Sequence, residues 1–154
     1  MDKYTFMNAA IEEAKRAMTM GEVPVGAVIV RNDEIIASAH NMRENGGGAT
    51  AHAELMAIES ACKALGGWRL SDCTLYVTLE PCPMCAGAII NARLGRVVFG
   101  AKDPRSGAFG SVLNMNAYPL GYKADVEYGV REAECLLLLR DFFKHLRDGG
   151  DNVK

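Results

Sequence analysis

Long apolar runs are missing from this sequence. Its opening stretch, MDKYTFMNAAIEEAKRAM, carries acids and lysines throughout, which argues against a secretory leader or a membrane span and points to a cytoplasmic protein with no membrane partner. An excess of positive charge is also missing: 17 Lys and Arg against 19 Asp and Glu leave a formal net charge of −2. A surface coated in basic residues for nonspecific nucleic-acid binding is therefore excluded, and any nucleic-acid contact has to be local. Cysteine comes as an odd five. Without a leader a disulfide framework is not expected, which leaves metal binding or plain burial as the uses of these thiols. Repeats, linkers and low-complexity tracts are absent too. What is present is a 49% hydrophobic composition in 154 residues, enough for one well-buried core and a single domain over 1–154, with no room for a second catalytic domain.

Residues 2 to 19 place Phe6, Ala10, Ala14, Ala17 and Met18 at spacings of three and four between charged residues, the pattern of an amphipathic helix that Gly21 and Pro24 end. Val25 to Val30 and Glu34 to Ala39 read as two strands joined by the tight turn Arg31-Asn32-Asp33. Asn41 to Thr50 reads as a loop made flexible by Gly46, Gly47 and Gly48. A second helix is expected from His52 to about Leu65, stopped by Gly66-Gly67. Then follow a strand at Thr74 to Leu79, a short helix at Pro83 to Asn91 and a strand at Arg96 to Gly100. A loop with one helical turn is expected over Asp103 to Tyr122, then a strand near Val126 and a closing helix from about Arg131 to Arg147. Alternating strand and helix after residue 50 imply parallel pairing and an α/β class.

Two segments carry chemistry. One is Ala51-His52-Ala53-Glu54; the other is Thr78-Leu79-Glu80-Pro81-Cys82-Pro83-Met84-Cys85. Cys82 and Cys85 are three apart, so at a helix start their sulfurs share a face and can grip one ion. Free N–H groups and the positive end of the helix dipole favour thiolates there. Pro81 and Pro83 stiffen the corner without wasting donors. With His52 this makes three protein ligands. His40 and His145 are remote in sequence, and Cys62, Cys73 and Cys135 have no partner at ligand spacing and read as buried small hydrophobes. A structural zinc site closes with four protein ligands, whereas a catalytic one keeps a position for water. Glu54, in the same helical turn as His52, is then the general base.

His-x-Glu followed about thirty residues later by Pro-Cys-x-x-Cys is a signature of zinc deaminases that act on nucleobases. At these residues the chain resembles the bacterial tRNA-specific adenosine deaminases of the cytidine-deaminase-like superfamily. The resemblance extends to Gly21 to Val28, Trp68-Arg69-Leu70, Leu75 to Gly87 and Val97 to Ala101, with Asp103 at the family's spacing. It implies a three-layer α-β-α sandwich around a central five-stranded mixed sheet, a homodimer, one zinc ion per subunit, and conversion of the wobble adenosine (position 34) in a tRNA anticodon stem-loop to inosine. It also implies that Asn41, Glu22, Ala53, Asp103 and Phe143 meet the substrate. Asn41 would hydrogen-bond the nucleoside, Glu22 and Asp103 would line the pocket or the path of flanking nucleotides, and Phe143 would pack near the anticodon bases. The sequence departs from the family at Gly121-Tyr122, where Asn-His is usual, and in a short acidic tail after Arg147.

A deaminase of free bases such as guanine or cytosine would use the same metal motif, and a zinc-stabilised nucleic-acid-binding module would need no Glu54. Between Asn91 and Lys123, Arg93, Arg96, Lys102, Arg105 and Lys123 face the single acid Asp103, with Phe109, Tyr118 and Tyr122 interleaved. The stretch reads either as a track for phosphates and bases or as a solvated loop with core aromatics.

Overall fold

The structure, a computed structural model, describes residues 2–149; the acidic tail from residue 150 onward lies outside them. Asp2 caps helix α1 (Lys3–Thr19) by accepting from the Thr5 N–H, one of the orphan donors of a first helical turn. Strands β1 (Gly26–Arg31) and β2 (Glu34–His40) pair antiparallel. Asn32 and Asp33 turn between them at φ of 50° and 64°, the left-handed pair a two-residue hairpin needs. Helix α2 runs Ala53–Leu65 and ends on Gly66 at φ 73°, a position that glycine occupies without steric cost. Strand β3 (Cys73–Leu79), helix α3 (Pro83–Asn91), strand β4 (Arg96–Ala101), strand β5 (Asp125–Tyr128) and helix α4 (Glu132–Arg147) complete the chain.

The sheet order is β2-β1-β3-β4-β5, antiparallel at β2-β1-β3 and parallel at β3-β4-β5. The mixed five-stranded sheet and the parallel pairing expected after residue 50 are both present. Helices α2 and α3 cover one face; α1 and α4 cover the other. Side-chain alternation divides the core accordingly. Ala27, Ile29, Leu75, Val77, Val97 and Phe99 point toward α2 and α3, while Val28, Val30, Tyr76 and Val98 meet Phe6, Met7, Ala10 and Cys135. At Gly26 a Cβ would collide with the backbone of α1 at Ala10 and Ala14, so the bare glycine is what lets this helix lie so close to β1. None of the five cysteines is in a disulfide, and Cys73 and Cys135 are core residues, with Cys62 packed at the core's edge.

The loop at Asn41 to Thr50, expected to be flexible, instead winds into a wide five-residue turn over Arg43–Gly47, for reasons that belong to the site. Parallel strands β3 and β4 both end at Leu79 and Ala101, and loops that leave the carboxyl ends of parallel strands open a crevice there.

Candidate metal centre

His52 is the cap residue of α2, in extended geometry at φ −83° and ψ 147°, and Cys82 plays the same part for α3, with Pro83 in its first turn. Both helix starts aim at one point. The His52 Nδ1 lies 3.7 Å from the Cys82 sulfur and 3.6 Å from the Cys85 sulfur. The three donor atoms all fall within 4.8 Å of one another. Bonds of about 2.3 Å to sulfur and about 2.05 Å to nitrogen at tetrahedral angles put a sulfur and a nitrogen donor about 3.6 Å apart, so both sulfur–nitrogen spacings suit a zinc ion. The ring nitrogen turned to the ion is Nδ1. Among the described residues no fourth His, Cys, Asp or Glu joins the cluster, which leaves a coordination position for water.

The cluster is already polarised. The Cys85 thiol donates to the Cys82 sulfur, and His52 adds a second partner; against the cost of burial these bring Cys82 down to about 4. The same sharing, with burial, holds the Cys85 proton in place, and the Cys82 sulfur raises His52. The pair of sulfurs thus carries one proton that a divalent cation would displace. Glu54 is 4% exposed, and burial pushes its carboxyl up to about 7, into the range where an acid can both give and accept a proton near neutrality.

These groups sit at the bottom of a cleft of about 150 Å³, whose walls include Asn41, Arg43, Glu80, Asp103 and Ser106. Asn41 accepts from the Ala53 N–H through its Oδ1 at 2.9 Å, which fixes the side chain so that its NH2 group is left to donate. Asp103 turns its carboxylate onto the Arg105 and Ser106 N–H groups and the Ser106 hydroxyl.

Two walls of the cleft are held by buried carboxylates that come from elsewhere in the chain. Glu22, 1% exposed, accepts from the Glu44 N–H at 2.8 Å, the Asn45 N–H at 3.0 Å and the Asn45 side chain at 2.5 Å. That is why the glycine-rich loop is a defined turn. Glu80, 2% exposed, accepts from the Asp103 N–H at 3.0 Å, the Phe109 N–H at 3.0 Å, the Ser111 N–H at 3.2 Å and the Ser111 hydroxyl. Its carboxylate fills the space where a Cβ on Gly107 would stand. An isolated buried carboxylate is costly, and each of these two is stabilised by backbone donors that would otherwise be unpaired.

Of the residues that the resemblance assigned to substrate contact, Asn41 and Asp103 line the cleft. Glu22, Ala53 and Phe143 do not. Glu22 spends its carboxylate on the 43–47 turn, Ala53 is fully buried with its N–H on Asn41, and Phe143 lies on the surface of α4, edge-on to the buried Phe142 at 5.2 Å. Glu80, Arg43 and Ser106 were missed. Only Glu80 left a signal, as an acid closing an apolar strand directly before Pro81-Cys82.

The basic stretch divides in two. Arg96 pairs with Asp125 and Glu127, Arg93 lies over the Tyr122 ring and donates to the Ile90 carbonyl, the Tyr122 hydroxyl donates to the Leu94 carbonyl, and Phe109 is buried. These are structural. Lys102, Arg105, Tyr118 and Lys123 are exposed.

Comparison with known proteins agrees with this geometry. Residues 1–101 match the model of the cytidine and deoxycytidylate deaminase zinc-binding region. The chain is 54% identical over 143 residues to a tRNA-specific adenosine deaminase of Bacillus subtilis, covering 92% of this chain and 89% of that one. A solved structure from work on A-to-I editing by tRNA:A34 deaminases at the wobble position superposes with a TM-score of 0.86 at 43% identity, covering 89% of this chain and all of that one. A guanine deaminase structure from Bacillus subtilis is more distant, with a TM-score of 0.64 at 36% identity over 75% of this chain and 84% of that one.

Proposed function

The chain belongs to the family of cytidine and deoxycytidylate deaminase zinc-binding proteins, and on that premise we propose that it works as one hydrolytic deaminase domain that converts the wobble adenosine of a tRNA anticodon loop to inosine and ammonia. The observation that carries the chemistry is the set of three donors facing one point, with no fourth protein ligand among the described residues and a buried carboxyl beside them. Identity of 54% across nearly the full length of a tRNA-specific adenosine deaminase supports the substrate.

His52, Cys82 and Cys85 would hold one zinc ion. Bound there, zinc supplies the Lewis acidity that lets water ionise near neutral pH. Glu54 takes the proton of the attacking water on its carboxylate, hands it to ring N1 as C6 is attacked, then takes the proton of the new C6 hydroxyl as the carbonyl forms and delivers it to the departing amine. Water enters and ammonia leaves, so the exchange of amine for carbonyl balances. The Asn41 NH2 group orients the nucleoside from the cleft wall, of which Asp103 and Ser106 are also part. C6 must leave its stack to reach this depth, which costs less in a single-stranded loop than in a duplex.

A homodimer acting on the tRNA pool of the cytoplasm completes the reading. It is supported by an apolar groove of about 420 Å³ between α2 and α3, lined by Leu55, Ile58, Trp68 and Ala88, and no described helix is long and apolar enough to cross a membrane. Sedimentation equilibrium of the zinc-loaded protein gives the mass directly. The substrate is tested by incubating that protein with an anticodon stem-loop bearing adenosine at the wobble position, and separately with adenosine, adenine, guanine and cytosine. Inosine from the stem-loop is the expected result; ammonia from a free base alone would overturn the RNA substrate while leaving the zinc chemistry intact.

A further inference from the structure

A second cavity, about 480 Å³, lies next to the reaction cleft over the carboxyl ends of β4 and β5. Glu80 belongs to the walls of both, and the loop it holds, residues 103 to 111, separates them. The other walls include Phe99, Phe109, Pro104, Ser111, Lys102 and Tyr128. Tyr128 is 57% exposed although it closes a strand. Its ring stacks on Phe99 with centroids 6.0 Å apart at 24°, and the Lys102 ammonium lies over it at 4.2 Å. Nothing in the reaction proposed above uses this cavity.

An exposed aromatic ring with a rigid aromatic behind it is a stacking platform for a base, and a cation on a flexible stem beside it is a phosphate contact. A strand that already has one nucleotide in the cleft presents the next base and phosphate together beside it, since Glu80 is a wall of both cavities. We propose that this cavity receives the base of a nucleotide adjacent to the reacting adenosine, with the base stacked on Tyr128 and Lys102 released from the ring to meet the phosphate. The inference rests on the RNA reading of the function. It makes Tyr128 and Lys102 determinants of how tightly the strand is gripped and leaves the protons to Glu54.

The test uses zinc-loaded full-length protein and the anticodon stem-loop in two forms: intact, and with an abasic residue placed in turn at each neighbour of the wobble adenosine. Tyr128→Ala is expected to raise KM about 5- to 150-fold, the range of one base–aromatic stack, with kcat unchanged. Tyr128→Phe is expected to keep the wild-type KM, and Lys102→Ala to raise it and to flatten its salt dependence. One of the two abasic stem-loops should show the same loss with the wild-type protein and no further loss with Tyr128→Ala. Two results overturn the inference: an unchanged KM in Tyr128→Ala, or losses from Tyr128→Ala and from both abasic sites that simply multiply. If the wild-type protein makes no inosine from the intact stem-loop, the RNA function itself fails, an outcome distinct from a wild-type protein that deaminates and a Tyr128→Ala variant that matches it.

Discussion

The floor of the cleft and its rim are built in opposite ways. On the floor, His52, Glu54, Cys82 and Cys85 all stand at the starts of two helices, each within a few residues of its neighbour in the motif. On the rim, two loops are held by carboxylates that reach them across 22 to 31 positions of sequence, Glu22 to the 43–47 turn and Glu80 to residues 103 to 111. Floor geometry follows from local backbone and a short spacing rule; rim geometry follows from the need to pair buried N–H groups with an acceptor from elsewhere. Losses at the floor should therefore appear in metal content or turnover, and losses at the rim in stability and substrate binding with the metal retained.

The largest effects belong to the floor. Cys85→Ala leaves two donors, and zinc by mass spectrometry should fall well below one per chain, with activity down to background. Glu54→Gln should keep zinc at one per chain and lower kcat by about 10²- to 10⁴-fold, the usual contribution of a placed acid–base group. Full activity in Glu54→Gln would remove Glu54 from the reaction, and turnover by Cys85→Ala without zinc would remove the metal.

At the rim, Glu80→Gln keeps the shape but turns an amide NH2 toward N–H groups that need an acceptor. Each charge-assisted bond lost costs about 1.5–3 kcal/mol, so a clear drop in unfolding temperature and a higher KM for the stem-loop are expected, with zinc content unchanged. Gly107→Ala should do the same from the other side by pressing a methyl into the Glu80 carboxylate. The Glu22→Gln effect should be smaller, because the 43–47 turn it holds is exposed along its length. Loss of zinc in any of these variants would show that rim and floor are not separable.

The same division explains what could be read in advance. The order of helices and strands and the parallel half of the sheet follow from periodicity, and the metal ligands follow from the spacing of His52, Cys82 and Cys85. The resemblance places Glu22 along the pocket or the path of flanking nucleotides but does not reveal that its carboxylate holds the 43–47 turn, and nothing in the motif marks the backbone donors that Glu80 serves. An acid that serves distant backbone donors leaves no period and no motif, since its partners are set by where the loops pack. The basic stretch from Arg93 to Lys123 was ambiguous for a related reason: charge in a sequence does not say which arginine has a carboxylate beside it, and Arg96 gains Asp125 and Glu127 only once β4 and β5 pair in register.

That last cluster gives the smallest effect and the cleanest control for the comparison, because it ties α1 to β5 through side chains that are not part of the cleft walls. Lys3 first, then Arg96, hold the Glu127 carboxyl below its ordinary value against the cost of partial burial. A carboxyl depressed in the folded state contributes stability that is fully present above its unfolded value of about 4.3 and is lost as pH falls through the lower folded value. Thermal unfolding of Glu127→Gln should therefore begin slightly below the wild type at pH 7, and the two curves should converge only as the pH drops below about 4. Part of the exposed pairing is screened by solvent, so the gap should also shrink in salt. Zinc content and stem-loop turnover should not move. A change in either would mean that the α1–β5 contact bears on the cleft, and the separation of floor, rim and periphery would have to be redrawn around it.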